Sequence, residues 1–323
     1  MRITIANRLH PFSHIPGTWT VLSGSELQVQ IFPTLIRIYS QQKLVKDFPL
    51  IVDAPTKNFT VENDLERGVI SVWWHTVNGF VRYRLFVNGS GMVRIEFDGG
   101  DQIDLYQTQK TIQPKIEKIS FGVHKKQDFD MVRNRLNIEE IWPFWFQLGQ
   151  LVPHASGTCD LLDLWRNEIK PEKIKDSSLL LFRAGFHGIM TPSLIDDQHQ
   201  GIQLNGSGSP LVLLSEGAAI IRSHLFRSEE NQIYILPLLP PELHCGRMTN
   251  VQFEGAALDF EWSKKNIRRM VLHTHQDQER VFHFRHCKQF RLRKSYKDKG
   301  IVAKSGEILS LDKNCDYFFD NFS

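Results

Sequence analysis

Residues 214–271 read LSEGAAIIRSHLFRSEENQIYILPLLPPELHCGRMTNVQFEGAALDFEWSKKNIRRMV and carry the clearest secondary-structure signals in the chain. Residues 217–226 space their apolar side chains as a helix does. Residues 233–236 form an apolar run of β-forming side chains that a proline ends, which predicts a buried strand. Residues 258–262 alternate apolar and acidic side chains, and this period of two predicts a strand with one face in a core. The stretch therefore predicts a junction between a helical middle and a β-rich end.

The order of motifs in this stretch resembles the C-terminal part of family-95 glycoside hydrolases, the family of α-L-fucosidases and related galactosidases. There, the last helix of a helical barrel leads into a strand of the form I-x-L-L-P-A-L-P, a turn, a Gly-x-x-x-x-Gly segment and an alternating strand that ends in Trp. The positions that follow this order are Ile233 to Pro240, Gly246, Val251, Gly255, Leu258, Phe260 and Trp262. The resemblance covers about a sixth of the chain and implies a carbohydrate-related protein. Its positions pack a β-sandwich in the family, so it carries over no catalytic residue.

The length of the helical region limits how much of such an enzyme the chain can contain. The family's catalytic barrel has about twelve helices, which need about 190 residues at ordinary helix and loop lengths. Residues 119–226 span about 107 residues, enough for about six helices. The family's Asn-rich active-site segment is also missing. Either the barrel is truncated, leaving two sandwiches and a short helical bridge, or the resemblance is confined to the tail.

Composition sets the broad class of the protein. The chain has 323 residues, 23% of them charged, and a formal net charge of +3, so a nucleic-acid partner is not expected. The sequence contains no apolar run long enough for a membrane span and no signal-like apolar region after Met1, which predicts a cytoplasmic protein without a membrane partner. Its four cysteines are widely spaced and suggest neither a disulfide framework nor a zinc site. We expect no cofactor.

Strand and helix patterns divide the chain into three parts. Residues 1–118 alternate as strands with turn signals between them, which is typical of a β-sandwich. Residues 119–229 show helical spacing, and residues 230–323 return to strands. The predicted fold is mainly β with a helical insert: two β-sandwich domains bridged by a short helical region.

The helical region holds the candidate catalytic residues. Glycoside hydrolysis needs a carboxylic acid and a second group that positions water or attacks the sugar. Asp196 and Asp197 follow a proline in an irregular segment of the kind where sites occur, and His187 lies nearby, so these three are the catalytic candidates. Trp142 and Trp145 are candidate sugar-binding platforms, because a pyranose ring has an apolar C–H face that packs on an aromatic ring. The alternative is that the aspartates form a polar loop or cap and that His187 is structural.

The first domain contains two further aromatic clusters. Residues 8–14 carry two histidines, and Trp73-Trp74-His75 places two indoles side by side. On a strand, Trp73 and Trp74 point to opposite faces, so at least one of them is expected to fill the core.

The C-terminal part suggests two other sites. Residues 273–287 contain four histidines and a cysteine, for which a polar strand face is a simpler explanation than a metal site, and we expect no metal. Residues 285–299 are basic. Three functions therefore remain open: a glycoside hydrolase-like, carbohydrate-active protein; a non-catalytic protein that binds an oligosaccharide or acts as a scaffold; and an interaction protein that uses its basic C-terminal edge. The sequence leaves the oligomeric state open.

Overall fold

The computed structural model describes residues 2–112, 116–196, 200–295 and 297–323. The fold is mainly β with a helical insert, as predicted. No helix in these ranges is both long enough and apolar enough to cross a bilayer.

The first part of the chain is a two-sheet arrangement. Its strands are β1 (Phe12–Ser13), β2 (Thr18–Val21), β3 (Leu27–Phe32), β4 (Leu35–Ser40), β5 (Lys43–Pro49), β6 (Lys57–Asp64), β7 (Val69–Thr76), β8 (Gly79–Val87), β9 (Met92–Phe97) and β10 (Gln102–Gln107). Strands β2-β3-β4-β5 form one antiparallel sheet, and β1-β6-β7-β8-β9-β10 form the other. The Asn63 amide donates hydrogen bonds to the Thr20 hydroxyl at 2.8 Å and the Val21 carbonyl at 3.2 Å, which ties the two sheets together.

Alternation along β7 separates the two adjacent tryptophans as predicted. Trp74 is buried and packs edge-on against Tyr83, with ring centroids 5.9 Å apart. Trp73 lies on the opposite face and is half-buried. One indole therefore belongs to the core and the other to the outer face of the six-stranded sheet.

The middle of the chain is helical, with short strand pairs between the helices. Its elements are β11 (Lys118–Ser120), α1 (Phe129–Arg135), α2 (Ile138–Gln150), β12 (Gly157–Cys159), α3 (Asp160–Arg166), α4 (Pro171–Gly185), β13 (Phe186–His187), β14 (Thr191–Pro192), β15 (Gly206–Gly208) and α5 (Val212–Leu225).

Two helix boundaries reflect local chemistry. The chain breaks before α2 because Leu136 adopts a left-handed conformation with φ of 48° and the Asn137 side chain then caps the new helix. Pro143 lies within α2. Pro171 occupies the first turn of α4, where a proline needs no backbone donor, so it opens a helix instead of closing the one before it.

Helices α2 and α5 pack closely because small residues face each other. A Cβ atom added at Gly149 would lie 2.3 Å from the Leu214 carbonyl oxygen, and one at Gly217 would lie 2.3 Å from Nε1 of Trp145. That same Nε1 donates a hydrogen bond of 2.8 Å to the Leu213 carbonyl. Gly217, in the stretch 214–271, therefore makes room for the indole of Trp145 between the two helices.

The C-terminal part again has two sheets. Its strands are β16 (Phe226–Glu229), β17 (Gln232–Ile235), β18 (Cys245–Phe253), β19 (Ala256–Ser263), β20 (Asn266–Thr274), β21 (Gln278–Phe284), β22 (Gln289–Arg293), β23 (Ile301–Lys304), β24 (Ile308–Leu311) and β25 (Asp316–Asp320). The larger sheet has the order β11-β18-β19-β20-β25-β22-β23, and the smaller has the order β16-β17-β21-β24. Ile235, Phe260 and Trp262 are all buried in the hydrophobic core, as their patterns predict.

The ring of Trp262 explains why position 246 is a glycine. Its Nε1 donates to the Leu243 carbonyl at 3.1 Å, and a Cβ atom added at Gly246 would lie 2.3 Å from its ring. The ring therefore occupies the space that a side chain at position 246 would need.

Residues 271–275 and 281–285 have the sequence pattern of two paired strands around residues 276–279, but this predicted pairing is wrong. β20 pairs with β19 and β25 in the larger sheet, whereas β21 pairs with β17 and β24 in the smaller one. Both strands bury an apolar face, and such faces are satisfied by packing sheet on sheet.

An ion pair joins the end of the first part to the last helix, and its carboxylate is the more buried of the two partners. The Glu117 carboxylate accepts from Nε of Arg222 at 2.8 Å, from Nη2 of Arg222 at 3.0 Å and from the backbone N–H of Gln252 at 2.8 Å. Strand β11, directly after Glu117, pairs with β18 in the C-terminal sheet. The segment around the predicted boundary at residue 118 therefore belongs to the C-terminal sheet.

Candidate functional site

A cleft of about 730 Å³ lies where the four-stranded sheet of the first part meets the helical insert. Its wall comes from strands β2 to β4, from helix α1 and from the segment that follows α4. The lining side chains with useful chemistry are Trp19, Gln28, Tyr39, Asp130, Arg133 and His187. We call it the Trp19 cleft.

Two aromatic rings form one side of the Trp19 cleft. The ring centroids of Trp19 and Tyr39 are 4.6 Å apart, and both side chains are half-buried. Strand register places both rings on one face of the sheet. Tyr39 is paired with Gln28, Trp19 is paired with Gln30, and Gln28 and Gln30 are two residues apart on β3, so they point to the same side. This face is the one turned away from the buried row of alternate residues that includes Val29.

His187 lines the same cleft and contacts Trp19. The two rings meet edge to face, with centroids 5.2 Å apart. The turn after His187 is pressed against β2, because the Ile189 N–H donates to the Trp19 carbonyl at 2.7 Å. Gly188 has a φ of +49°, and a Cβ atom there would lie 2.4 Å from that carbonyl oxygen. Glycine is therefore required where the insert meets the sheet.

The charged groups of the cleft come from helix α1. Ser13 donates a hydrogen bond of 2.8 Å from its hydroxyl to Oδ2 of Asp130. Arg133, one turn further along, lies close enough for Asp130 to act on it: burial lowers the pKa of the Arg133 guanidinium, and the Asp130 charge opposes that shift. The pair gives the cleft both an acceptor and a donor of hydrogen bonds.

The predicted catalytic aspartates are placed differently from one another. Asp196 is half-buried beside Ile195, which lines the cleft, and Oδ2 of Asp196 accepts from the Ile202 N–H at 3.3 Å. Asp197 lies outside the described residues. Asp130 is the one carboxylate side chain among the described residues that line the cleft. The described lining therefore does not bring together the pair of carboxyl groups that glycoside hydrolysis requires.

The prediction that Trp142 and Trp145 form sugar platforms is wrong for this structure. Both side chains are fully buried, and both indole N–H groups are used inside the protein. Trp142 packs on His224, and Trp145 packs on Phe186 and Trp165. Helical spacing identifies the buried side of α2, and on that side an indole fills the core.

Sequence reasoning missed the aromatic residues that do line the cleft. Trp19 and Tyr39 stand in different strands of the first part and have no motif around them. Their alternation places them opposite the core row, which was the available signal for exposure. That a helical segment would close over this face could not be read from local pattern.

The C-terminal histidines do not form one cluster, because His273 and His283 lie in different sheets. Nδ1 of His273 lies 2.7 Å from Asp316 in the larger sheet, while Nε2 of His283 lies 2.6 Å from the Gln232 side chain in the smaller one. Within the described ranges, no group of three His, Cys, Asp or Glu side chains is arranged to hold a metal ion.

Comparison with known proteins adds no relative. No family model matches the chain, and no curated protein matches it.

Proposed function

We propose that the chain binds an oligosaccharide in the Trp19 cleft and does not hydrolyse it. The observation that carries this proposal is the contact between two half-buried rings, Trp19 and Tyr39, beside the charged pair of Asp130 and Arg133. A sugar ring offers an apolar C–H face to an aromatic side chain and hydroxyl groups that both donate and accept hydrogen bonds. The cleft supplies partners for both properties, and its volume is in the range of small-ligand sites.

Binding is favoured over hydrolysis because the described lining of the cleft contains one carboxylate side chain, whereas glycoside hydrolysis usually requires two. Asp130 accepts a hydrogen bond from the Ser13 hydroxyl, and the described residues that line the cleft offer it no second carboxylate as a catalytic partner. Asp196 is bonded to its own loop. The resemblance of the tail to family-95 glycoside hydrolases fits a protein that shares accessory packing with such enzymes.

A polyanion-binding function of the basic C-terminal edge receives less support. Arg291 lies 2.7 Å from Asp320, Arg293 also pairs with Asp320, and Lys294 pairs with Asp312. These pairs neutralise the central part of the basic run, and its ability to attract phosphate or sulfate groups falls accordingly.

The proposal is tested on a glycan array with the intact chain, Trp19→Ala and Phe80→Ala. Phe80 is an exposed aromatic residue in the β7–β8 hairpin outside the cleft lining, which makes it a matched control. We expect the chain and Phe80→Ala to bind a common set of glycans and Trp19→Ala to lose binding. An array without bound glycan, or unchanged binding by Trp19→Ala, overturns the proposal.

A panel of aryl glycosides, with fucosides and galactosides first, distinguishes binding from catalysis. We expect no turnover above the blank. Turnover that is lost in Asp130→Asn or Asp196→Asn would replace the binding assignment with hydrolysis.

A further inference from the structure

A second depression lies on the outer face of the six-stranded sheet. It has a volume of about 650 Å³ and is lined by Phe12, His14, Thr60, Glu62, Trp73 and Lys126, among others. It joins the two aromatic clusters of the first domain, which are about sixty residues apart in the sequence. We call it the Trp73 groove.

The groove does not overlap the Trp19 cleft. Strand β1 separates them: Phe12 lines the groove, and the next residue, Ser13, points to the other side and bonds Asp130 in the cleft. Among the residues that the structure describes, none lines both depressions. A ligand in one does not have to touch the other.

Aromatic side chains supply the apolar surface of the groove. Trp73 is half-buried, whereas the next residue on the strand, Trp74, fills the core. The indole of Trp73 is therefore not part of the buried interior. The rings of Phe12 and His14 lie 5.3 Å apart, and Nζ of Lys126 lies 5.3 Å from the centre of the Phe12 ring. The groove thus combines an indole, a phenyl ring and a cation held over that phenyl ring.

Polar groups at the groove are positioned by the protein. Nδ1 of His14 lies 2.9 Å from the Thr60 hydroxyl, which fixes the orientation of the imidazole. The Glu62 carboxylate lines the groove, is partly exposed and has one oxygen 3.7 Å from Nδ1 of His10. An acceptor-only carboxylate and donor groups on Lys126 are therefore both near Trp73.

We infer that the Trp73 groove is a second saccharide-binding site, which takes a neutral pyranoside stacked on Trp73. A carboxylate such as Glu62 can accept hydrogen bonds from two vicinal sugar hydroxyls, and an ammonium such as Lys126 donates to a third. The mixture of one negative and one positive side chain suits an uncharged, hydroxyl-rich ligand better than an anion. The inference stands on the groove alone and does not require the Trp19 cleft to bind.

The experiment observes the indole N–H signals of the seven tryptophans by two-dimensional ¹H–¹⁵N NMR. Methyl α-L-fucopyranoside, methyl β-D-galactopyranoside and methyl β-D-glucopyranoside are added to the intact chain up to high millimolar concentration. Trp73→Phe and Trp19→Phe assign the two reporting signals. We expect the Trp73 signal to move with at least one glycoside and to saturate in the millimolar range, as is usual for one small ligand in an open site.

Two variants make the test specific. Glu62→Gln keeps the size of the side chain and removes its charge, so it should weaken binding at the Trp73 signal about tenfold, the loss expected for a hydrogen bond to a charged group. His75→Ala, on the same face of the same strand but outside the groove lining, should leave the affinity unchanged. A Trp73 signal that no glycoside moves, or an affinity that Glu62→Gln leaves intact, overturns the inference.

The experiment tests the Trp73 groove and the Trp19 cleft independently. A Trp73 signal that moves while the Trp19 signal stays fixed supports the groove and counts against the cleft. A Trp19 signal that moves alone supports the cleft and rejects the groove.

Discussion

The indole of Trp142 and the imidazole of His224 stack on each other in the helical insert, with ring centroids 5.9 Å apart and planes 18° apart. Trp165 packs on the same imidazole from 6.1 Å. His224 is buried, and neither ring nitrogen has a hydrogen-bond partner in the described structure. Burial, with a smaller contribution from Arg227, lowers the pKa of His224 from 6.5 to about 4. The histidine is therefore held in its neutral form between aromatic rings.

His224 makes the stability of the fold sensitive to acid. Above pH 6.5 the histidine is neutral in both the folded and the unfolded chain, and its contribution to stability is fully present. Between pH 6.5 and about 4 only the unfolded chain takes up the proton, so the free energy of unfolding falls by up to about 3 kcal/mol and then levels off. His224→Leu should flatten this part of the curve in urea unfolding between pH 4 and 7.

An exposed histidine provides the control for this experiment. His124→Gln should keep the pH dependence of the intact chain, because that side chain is exposed. An equally steep acid loss in His224→Leu would assign the sensitivity to other groups.

The contact between Gly246 and Trp262 predicts a steric cost. A methyl group at position 246 would lie 2.3 Å from the indole and 2.9 Å from the Ser120 carbonyl, so Gly246→Ala must displace one or the other. We expect a loss of about 1–3 kcal/mol in the free energy of unfolding, as for overpacked cores. Gly89→Ala, where a methyl group meets nothing within 4 Å, is the matched control. Equal stability of the two variants in urea would show that the indole can move at no cost.

The Glu117–Arg222 pair predicts energetic coupling between the end of the first part and the last helix of the insert. Glu117→Gln removes the charge that Arg222 faces, and Arg222→Met removes the partner, so each single change leaves a polar group poorly satisfied. Arg222 is partly exposed, and we expect each change to cost about 2 kcal/mol. The double variant should cost less than the sum by about 1–2 kcal/mol, measured by chemical unfolding. Strict additivity would show that the pair contributes nothing as a unit.

Ion pairs in the C-terminal sheet predict how the basic run responds to charge removal. Although burial opposes its ionisation, Arg291 and Arg293 hold the pKa of Asp320 below its usual range, and Lys294 does the same for Asp312. For the double variant Asp312→Asn/Asp320→Asn, the logarithm of the affinity for immobilised heparin should fall more steeply with the logarithm of the salt concentration. The increase in slope should correspond to about two additional contacts with anionic groups. Asp98→Asn/Asp101→Asn makes the same change in net charge in the first domain and should change retention less. Equal retention of both variants would show that net charge alone governs binding.

Local sequence pattern predicted the positions of helices and strands better than it predicted which strands pair. Helix α5 and strand β19 lie where the spacing of residues 217–226 and 258–262 predicted them, because amphipathic periods report which side of an element is apolar. The same pattern mispaired β20 and β21, because two strands with apolar faces look alike whether they pair side by side or pack in opposite sheets. For the candidate site, His187 was predicted and does line the cleft, whereas Trp19 and Tyr39 were not.

Alternation and composition in the sequence determined that the protein is mainly β with a helical insert, and that Trp73 and Trp74 face opposite ways. The tertiary structure alone decided that Trp73 lies in a groove and that Trp19 contacts His187. The physical reason is range. Periodicity is set by neighbours within a few residues, whereas burial and the contact between Trp19 and His187 depend on segments far apart in the chain that fold against the same face.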